Sequence, residues 1–336
     1  MIPPLTFEPN LDRSRPWGGR AIAALKGLPQ APEERIGESW EVSVNPAMPG
    51  QLAGPENLKG RMLSEVISED PAAILGSRVV ERYGSAFPLL LKLLDAEENL
   101  SVQVHPPGDY ARSQHGDRFG KEEAWYVLPG SEGGVIYIGL SDRHSLVDFE
   151  KAVRSGQNLA LANYLNEVFV RPGDVFHLRE GTLHALGQGT KVLEIQRDSD
   201  RTYRVYDFNR AGPDGKPRAL HLDHAFAVID GRLRGSAAVA EVRQPPSEIG
   251  LGDHLHLSPQ ARNFQIRSLK LESGEIRLIS GNMSFQTVTA FTDVKILTRG
   301  TTTALKRGYS ALVPACCGDY QLHTLAGGLT IITYVP

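Results

Sequence analysis

Two polar residues in one apolar segment carry the clearest chemical signal of this sequence. Gln103 and His105 lie two positions apart in the β-branched run 101–106 (Ser-Val-Gln-Val-His-Pro). In a strand, such a pair points to one side. An amide oxygen and an imidazole nitrogen placed this way can share a metal ion, provided that other strands supply a carboxylate and a second imidazole. The spacing therefore predicts one edge of a metal site.

Two later segments can supply the missing ligands. The stretch 120–125 (Gly-Lys-Glu-Glu-Ala-Trp) carries two adjacent carboxylates. If it is extended, Glu123 shares a side with Lys121, whereas Glu122 faces away. His184 follows a Gly-Thr turn at the mouth of a strand, where turn residues can deliver a second imidazole. We therefore expect these segments to converge on the strand that carries Gln103.

A further polar pair lies on the alternating run 192–196 (Val-Leu-Glu-Ile-Gln). Glu194 and Gln196 face one side of this predicted strand, and in a barrel that holds a metal the polar side would be the lumen. The charged loop 197–204 follows and ends at Arg204. A fold-back of this loop would place Arg204 and Glu194 over one pocket.

Some single residues allow two interpretations. Lys92 interrupts the apolar run 88–95, so it either extends to an edge or holds an anion in a pocket. Trp17 and Trp40 either line a pocket or are ordinary core aromatics. His177 lies within an apolar alternation, which indicates a core or rim histidine with a satisfied hydrogen bond. The local sequence does not decide between these readings.

Composition limits the class of protein. The chain has 336 residues, of which 41% are hydrophobic and 22% are charged, as in a soluble globular protein with a substantial core. A net charge of −3 gives no reason to expect nucleic acid or an anionic membrane as a partner. The N-terminus shows no signal peptide and no run approaches a membrane span. Cys316 and Cys317 are adjacent, and adjacent cysteines rarely form a disulfide with each other, so we expect no disulfide framework. A reducing compartment is therefore expected, and with it a cytoplasmic location.

The pattern of strands predicts a mainly β chain with two barrels. Helical spacing interrupts the first barrel at about 55–85, with one helix over 74–83, and again at 141–166. Residues 134–138 are expected to form a hairpin with the strand that starts near Trp125. A composition shift over 235–252 indicates a linker, which divides the chain into a metal-binding domain, 1–235, and a carboxy-terminal barrel, 236–336. The second barrel lacks a matched Gln-x-His strand and glutamate, so we expect it to bind no metal.

Several motifs in one order resemble the class I mannose-6-phosphate isomerases of the shorter bacterial type. These motifs are Leu100–Pro106, Gly120–Tyr126, Pro172–Asp174 with Gly181–Ala185, and Glu194–Gln196 with Ser199–Asp207. The resemblance runs from Trp17 to about Arg210, and the carboxy-terminal half matches only in character. It implies a zinc-dependent protein with two cupin-like (jelly-roll) barrels that interconverts mannose 6-phosphate and fructose 6-phosphate.

The resemblance also implies roles for individual residues. The implied ligands of one Zn²⁺ per chain are Gln103, His105, Glu123 and His184. Arg204 would be a catalytic arginine, and Lys121 and Glu194 would take part in proton transfer. Because the phosphate needs cations at the pocket rim, Lys92 and Arg204 are candidates to bind it, with Trp17 as a further substrate contact. The sequence does not assign the catalytic base.

Two positions depart from the family pattern, and two other functions stay open. Glu122 replaces a residue that is often small or polar, and Arg201 takes a place that is commonly uncharged. A non-catalytic sensor of sugar phosphates could keep the ligands without the reaction. An iron dioxygenase would use two histidines and one carboxylate, without the amide and the Lys and Arg pocket. We expect a small sugar phosphate as the partner, and a monomer or weak homodimer.

Overall fold

The computed structural model describes residues 2–31, 33–211, 215–250, 253–257, 261–281 and 283–336. Within these ranges strands predominate, which confirms the prediction of a mainly β chain. In chain order the strands are β1 Leu5–Phe7, β2 Leu11–Asp12, β3 Glu38–Val42, β4 Leu52–Gly54, β5 Leu89–Asp95, β6 Val102–Val104, β7 Glu123–Val127, β8 Val135–Leu140, β9 Leu165–Phe169, β10 Val175–Leu178, β11 His184–Leu186, β12 Lys191–Arg197, β13 Tyr203–Tyr206, β14 Arg243–Gln244, β15 Ser247–Gly250, β16 Asp253–Leu255, β17 Gln265–Leu271, β18 Ile276–Ile279, β19 Gln286–Ala290, β20 Val294–Thr298, β21 Thr301–Leu305, β22 Ser310–Val313, β23 Tyr320–His323 and β24 Gly328–Tyr334.

The helices are short and lie between the strands. They are α1 Ala21–Lys26, α2 Leu63–Glu69, α3 Pro71–Leu75, α4 Ser77–Tyr83, α5 Gly108–His115, α6 Leu146–Arg154, α7 Leu161–Tyr164, α8 Leu222–Val228 and α9 Gly235–Val242, with 3₁₀ turns at Glu56–Leu58 and Ala315–Cys317. None of the helices in the described ranges has the length and apolar character that a membrane crossing requires.

The helical segments correspond to the expected insertions with two corrections. The predicted single helix over 74–83 is wrong, because Gly76 divides it into α3 and α4. Gly76 has φ +87°, which allows the chain to turn between the two helices. A Cβ atom there would lie 2.2 Å from the carbonyl oxygen of Met283, so a side chain does not fit where this turn meets the second barrel. The insertion expected over 141–166 ends at Tyr164, because β9 starts at Leu165 and pairs with β8.

Two sheets face each other in the first half of the chain. One has the order β14-β10-β7-β12-β5-β3-β2, and the other has the order β13-β6-β11-β8-β9. The expected hairpin between β7 and β8 is therefore wrong: β7 pairs with β10 and β12, whereas β8 lies in the facing sheet beside β9 and β11. The connection after β7 crosses between the two layers, which a local strand pattern does not reveal.

The registers of these sheets bring the polar residues of separate motifs together. In the five-stranded sheet, Gln103 on β6 is the direct partner of His184 on β11 and of Arg204 on β13. In the seven-stranded sheet, Glu194 on β12 is paired with Lys92 on β5 and with Trp125 on β7. The candidate site therefore lies between the two layers and takes side chains from both.

The second half forms an eight-stranded sheet of order β15-β16-β17-β24-β19-β22-β1-β4 and a four-stranded sheet of order β18-β23-β20-β21. Strands β1 and β4 come from the start of the chain, so strand pairing crosses the boundary placed between 235 and 236. The linker expected over 235–252 is wrong for 235–250, which forms α9, β14 and β15, and residues 251–252 lie outside the described residues. The domain limits themselves stay a prediction.

Candidate metal centre and active site

Three buried residues converge between the two sheets of the first barrel. His105, Glu123 and His184 each offer one ligand atom, and these atoms lie within 4.8 Å of one another. The Nε2 atom of His105 is 3.2 Å from Glu123 Oε2, and the Nε2 atom of His184 is 3.3 Å from Glu123 Oε1. This grouping is the one found among the described residues that could hold a metal ion through His, Cys, Asp or Glu.

Backbone carbonyls fix which nitrogen of each imidazole carries the proton. His105 Nδ1 is 3.2 Å from the carbonyl oxygen of Arg201, and His184 Nδ1 is 2.8 Å from that of Thr182. A carbonyl oxygen only accepts, so both Nδ1 atoms donate, and in the neutral ring this leaves the lone pair on Nε2, which faces Glu123. Such outer hydrogen bonds are the usual means of orienting metal-binding imidazoles. Burial, together with the nearby ammonium of Lys121, lowers the pKa of His105 to about 3, which keeps the ring neutral.

Unsatisfied buried atoms test whether this cluster suits a metal. His105 Nε2 and both carboxylate oxygens of Glu123 are buried, and within the described part of the chain none has a hydrogen-bond partner. Their contacts at 3.1–3.3 Å have the distance of ion pairs but not the directions of hydrogen bonds. Buried polar atoms are otherwise nearly always paired. Two imidazole nitrogens and one carboxylate aimed at one point therefore fit a divalent metal ion.

Gln103 lies beside this cluster with its amide turned the other way. Its Nε2 is 3.3 Å from His184 Nε2, so in the tautomer with the proton on Nδ1 the amide donates to this imidazole nitrogen. An amide nitrogen is not a metal ligand, but the oxygen and nitrogen of the amide exchange places when the group turns by half a revolution. The structure thus places all four sequence-predicted ligand residues together, and Gln103 would have to turn its oxygen inward.

Two carboxylates beside Lys121 have opposite tendencies to ionise. Lys121 Nζ is 3.1 Å from Glu123 Oε2, and the side chain is buried. Burial lowers the pKa of Lys121, but the charges of Glu123 and Glu194 outweigh it, so the net pKa is raised. Burial opposes ionisation of Glu123, yet Lys121 and His105 hold its pKa well below the usual value. Burial and the charge of Glu123 raise the pKa of Glu194, so Glu194 is the group of the pair that can take up and release a proton.

Lys92 lies between two carboxylates rather than at an edge. Its Nζ is 3.6 Å from Glu38 Oε2 and 3.6 Å from Glu194 Oε1, and it lies 4.4 Å from the centre of the Trp40 ring. Trp125 Nε1, on the neighbouring strand β7, donates to Glu194 Oε2 at 3.1 Å. The anions that Lys92 contacts are thus two carboxylates of the protein itself, Glu38 and Glu194. Lys92 and Trp125 hold the Glu194 carboxylate from two sides.

Arg204 lies in a group of arginines at the edge of the five-stranded sheet. Its Nη1 donates to the carbonyl oxygen of Ala219 at 2.9 Å. Burial and the positive charge of Arg218 lower its pKa, and Arg210 acts in the same direction. Asp207 accepts from Arg210 at 2.6 Å and from Arg218 through two contacts of 2.6 Å. One carboxylate thus holds two guanidinium groups beside the candidate catalytic arginine.

Comparison with known proteins places this arrangement in a family. Residues 10–134 match the sequence model described as phosphomannose isomerase type I, catalytic domain. A probable mannose-6-phosphate isomerase of Bacillus subtilis strain 168 is 39% identical over 230 residues, which cover 68% of this chain and 69% of that protein. The chain belongs to the type I mannose-6-phosphate isomerase family. The crystal structure of the mannose 6-phosphate isomerase from Bacillus subtilis matches with a TM-score of 0.82 at 29% identity, over 99% of both chains. The mannose-6-phosphate isomerase of Streptococcus mutans is 36% identical over 231 residues, 68% of each chain.

Sequence reasoning missed four charged residues of this type I isomerase chain. Glu38 forms ion pairs with Lys92 and, at 2.8 Å, with Arg15 Nε, while Arg210 and Arg218 lie beside Arg204. A glutamate two positions before Trp40 on a fully buried strand was the available signal for Glu38. Arg210 and Arg218 lie in loop segments, where the spacing of residues in the sequence does not predict their neighbours in the fold.

Trp17, Glu122 and His177 lie away from the centre of the cluster. Trp17 is 3% exposed and packs in the hydrophobic core with Leu94 and Trp125. Glu122 leaves the face opposite to Glu123, as predicted, and its Oε1 is 2.7 Å from His177 Nε2. The interpretation of His177 as a satisfied rim histidine is confirmed.

Proposed function

We propose that this chain interconverts mannose 6-phosphate and fructose 6-phosphate, with one Zn²⁺ as its resident metal. The observation that carries the proposal is the buried His105, Glu123 and His184 cluster with a proton-transfer pair beside it. Membership of the type I isomerase family supports an aldose–ketose isomerase over the non-catalytic sensor that the sequence left open. The reaction removes a proton next to a carbonyl and returns it to the neighbouring carbon, so it needs a base and stabilisation of an enediolate.

The proposed ligands are His105, Glu123 and His184, with Gln103 as the fourth. A bound Zn²⁺ would supply Lewis-acid polarisation of sugar oxygens without redox chemistry. Nitrogen and oxygen ligands of mixed charge suit this ion. The two carbonyl contacts at Nδ1 would hold the imidazoles in the tautomer that a metal requires.

We assign the proton transfer to Lys121 and Glu194. Glu194 has a raised pKa and is held by Trp125 and Lys92, so it can carry a proton in a fixed position. Lys121 keeps its ammonium form beside Glu123 and can donate to a developing oxyanion. Isomerisation in deuterated water identifies which of the two removes the proton from carbon.

We assign the phosphate to the arginines that surround Arg204. Planar guanidinium groups match phosphate oxygens, and three of them lie near one another here. Asp207 balances only part of the positive charge of these three arginines. The remaining positive charge can attract the phosphate dianion. We propose that Lys92 acts by holding Glu194 and that Trp17 shapes the pocket through its packing. Removal of Arg218 should raise KM for the sugar phosphate more than it lowers kcat.

A direct assay tests the proposed function. Purified protein loaded with Zn²⁺ should convert mannose 6-phosphate into fructose 6-phosphate, and His184→Ala should lose both activity and metal. His177→Ala is the matched control, because His177 lies on β10 in the facing sheet, outside the cluster, and its Nε2 is bound to Glu122. If the metal-loaded protein binds mannose 6-phosphate without converting it, the sensor alternative is correct and the isomerase proposal fails.

A further inference from the structure

One charged pair links the segment that follows helix α5 to the loop whose backbone contacts His105. Arg201 donates to Asp117 through Nε at 2.7 Å and through Nη2 at 2.9 Å, a two-point contact of a guanidinium with a carboxylate. The side chains are 38% and 23% exposed, so the pair is at the protein surface but not fully solvated. Asp117 follows α5 directly, after Gly116 has ended the helix in the left-handed conformation.

The same residue, Arg201, supplies the carbonyl oxygen that orients His105. Its side chain is tied to Asp117, whereas its backbone oxygen accepts from His105 Nδ1 at 3.2 Å. The loop before it is tied down separately, since Gln196 Nε2 donates to the carbonyl oxygen of Ser199 at 2.6 Å. The position of the Arg201 carbonyl is therefore set from one side by the barrel and from the other by Asp117.

A second contact supports the attachment of α5 to this loop. His115, the last residue of α5, has its Nε2 2.7 Å from the hydroxyl oxygen of Tyr203. Tyr203 in turn is the strand partner of Val104, the residue before His105. Helix α5 and Asp117, which follows it, thus hold the chain at Arg201 and at Tyr203, the two ends of a three-residue span. A cavity of about 340 Å³ lies beside this span and is lined by Asp117 and Arg201.

We propose that Asp117 and Arg201 form a positioning pair that sets the tautomer and orientation of His105 as a metal ligand. The proposal rests on the metal site proposed above. Neither side chain contacts the metal ligands directly, so the pair acts through the Arg201 carbonyl. Since this carbonyl belongs to the backbone, it survives any substitution of either side chain, and only its placement changes. Loss of an outer partner of a metal-binding histidine typically costs 10- to 100-fold in metal affinity. Loss of the pair should lie at the low end, about tenfold.

The test compares three variants of the pair with one matched control, and His105→Ala checks the metal site itself. Asp117→Asn and Arg201→Gln each break the charged pair. The double variant loses the same single pair, so the effects of the two substitutions should not add. The control is Glu69→Gln, because Glu69 also accepts two contacts from one arginine, Arg61, at the surface and far from the site. Zn²⁺ affinity is measured by competition with a chelator, and the absorption spectrum of the Co²⁺ form is recorded to report ligand geometry. The Tm of the metal-free protein is measured in parallel.

The expected result is a loss of about tenfold in Zn²⁺ affinity in both single variants and no larger loss in the double variant. The Co²⁺ spectrum should shift, and Glu69→Gln should keep both the wild-type affinity and the wild-type spectrum. Wild-type affinity within twofold in Asp117→Asn and Arg201→Gln overturns the proposal, as does an equal loss in Glu69→Gln. A fall in metal-free Tm with no change in affinity shows a structural role and also overturns it. His105→Ala separates a failure of the positioning pair from a failure of the proposed metal site. If this variant also keeps full Zn²⁺ affinity, the assignment of the metal site is wrong.

Discussion

Glu122 and Glu123 are neighbours in the chain, yet their carboxylates act on opposite faces of one strand segment. Glu123 lies 3.2 Å from His105 and 3.3 Å from His184, whereas Glu122 lies 2.7 Å from His177 and also accepts from Asn263. The alternation of side chains along an extended chain is sufficient to cause this separation. It makes the pair an internal control for the site.

Replacement of each glutamate by glutamine should have unequal effects. Glu123→Gln removes the only charged ligand, so Zn²⁺ affinity should fall by more than the 10- to 100-fold typical of an outer-shell loss. Glu122→Gln weakens the contacts with His177 and Asn263, which lie outside the cluster, and should cost about 1–3 kcal/mol of stability with full metal content. Metal content by atomic absorption and urea unfolding check both values. The reverse order of effects would show that the strand register is wrong.

Arg204→Lys should separate transition-state stabilisation from simple binding. If Arg204 stabilises charge that develops in the reaction, kcat should fall on the order of 10²-fold while Zn²⁺ content stays at the wild-type level, because lysine lacks the planar fork. If Arg204 grips the phosphate equally in both states, KM should rise with kcat nearly unchanged. Steady-state kinetics distinguish these results. Wild-type values of both parameters would remove Arg204 from the site.

Loss of the proton-transfer groups should lower turnover without loss of metal. Glu194→Gln and Lys121→Met should each reduce kcat by about 10²- to 10⁴-fold. Isomerisation in deuterated water tells them apart: the variant that lacks the base should also stop deuterium incorporation at carbon. Lys191→Met is the matched control, because Lys191 lies on β12 like Glu194 but donates to the carbonyl oxygen of Gly130. Normal kcat in both site variants would refute the assignment.

Asp198 should make stability depend on pH. Burial raises its pKa from 3.8 to about 6, partly opposed by Asn45, with Asp200 adding to the rise. A raised pKa means that the folded state favours the protonated form, so this contribution is complete below about pH 4 and is lost as pH rises through 6. Asp198→Asn should therefore be more stable than the wild type at pH 7.5, on the order of 3 kcal/mol at ~1.4 kcal/mol per pKa unit. Urea unfolding at pH 4.5 and 7.5 checks this, and an equal difference at both values would contradict it.

Side-chain parity explains why much of the site could be predicted from sequence. Gln103 and His105, or Glu122 and Glu123, are placed by a period of two that holds within any strand. His184 was found because a Gly-Thr turn precedes it. These signals are local, and they remain valid whichever strand lies alongside.

Contacts between strands could not be predicted in the same way. Lys92 meets Glu38 and Glu194 because β5 lies between β3 and β12, and no local pattern specifies that order. The strand β8 was assigned to the wrong sheet for the same reason. The segment 235–242 was read as a linker from its flanking Gly and Pro residues, although its three alanines favour a helix, whose side chains Ala238 and Val242 are buried against the barrel.

The central claim is that one divalent metal ion, held by the buried cluster, makes this chain an isomerase. The most direct test is to strip the protein with a chelator and to titrate Zn²⁺ back while conversion of mannose 6-phosphate to fructose 6-phosphate is followed. Activity should disappear on stripping, return in proportion to added Zn²⁺ and level off at one equivalent per chain, with no return in His184→Ala. Full turnover by the stripped protein, or a plateau reached without His184, would contradict the account.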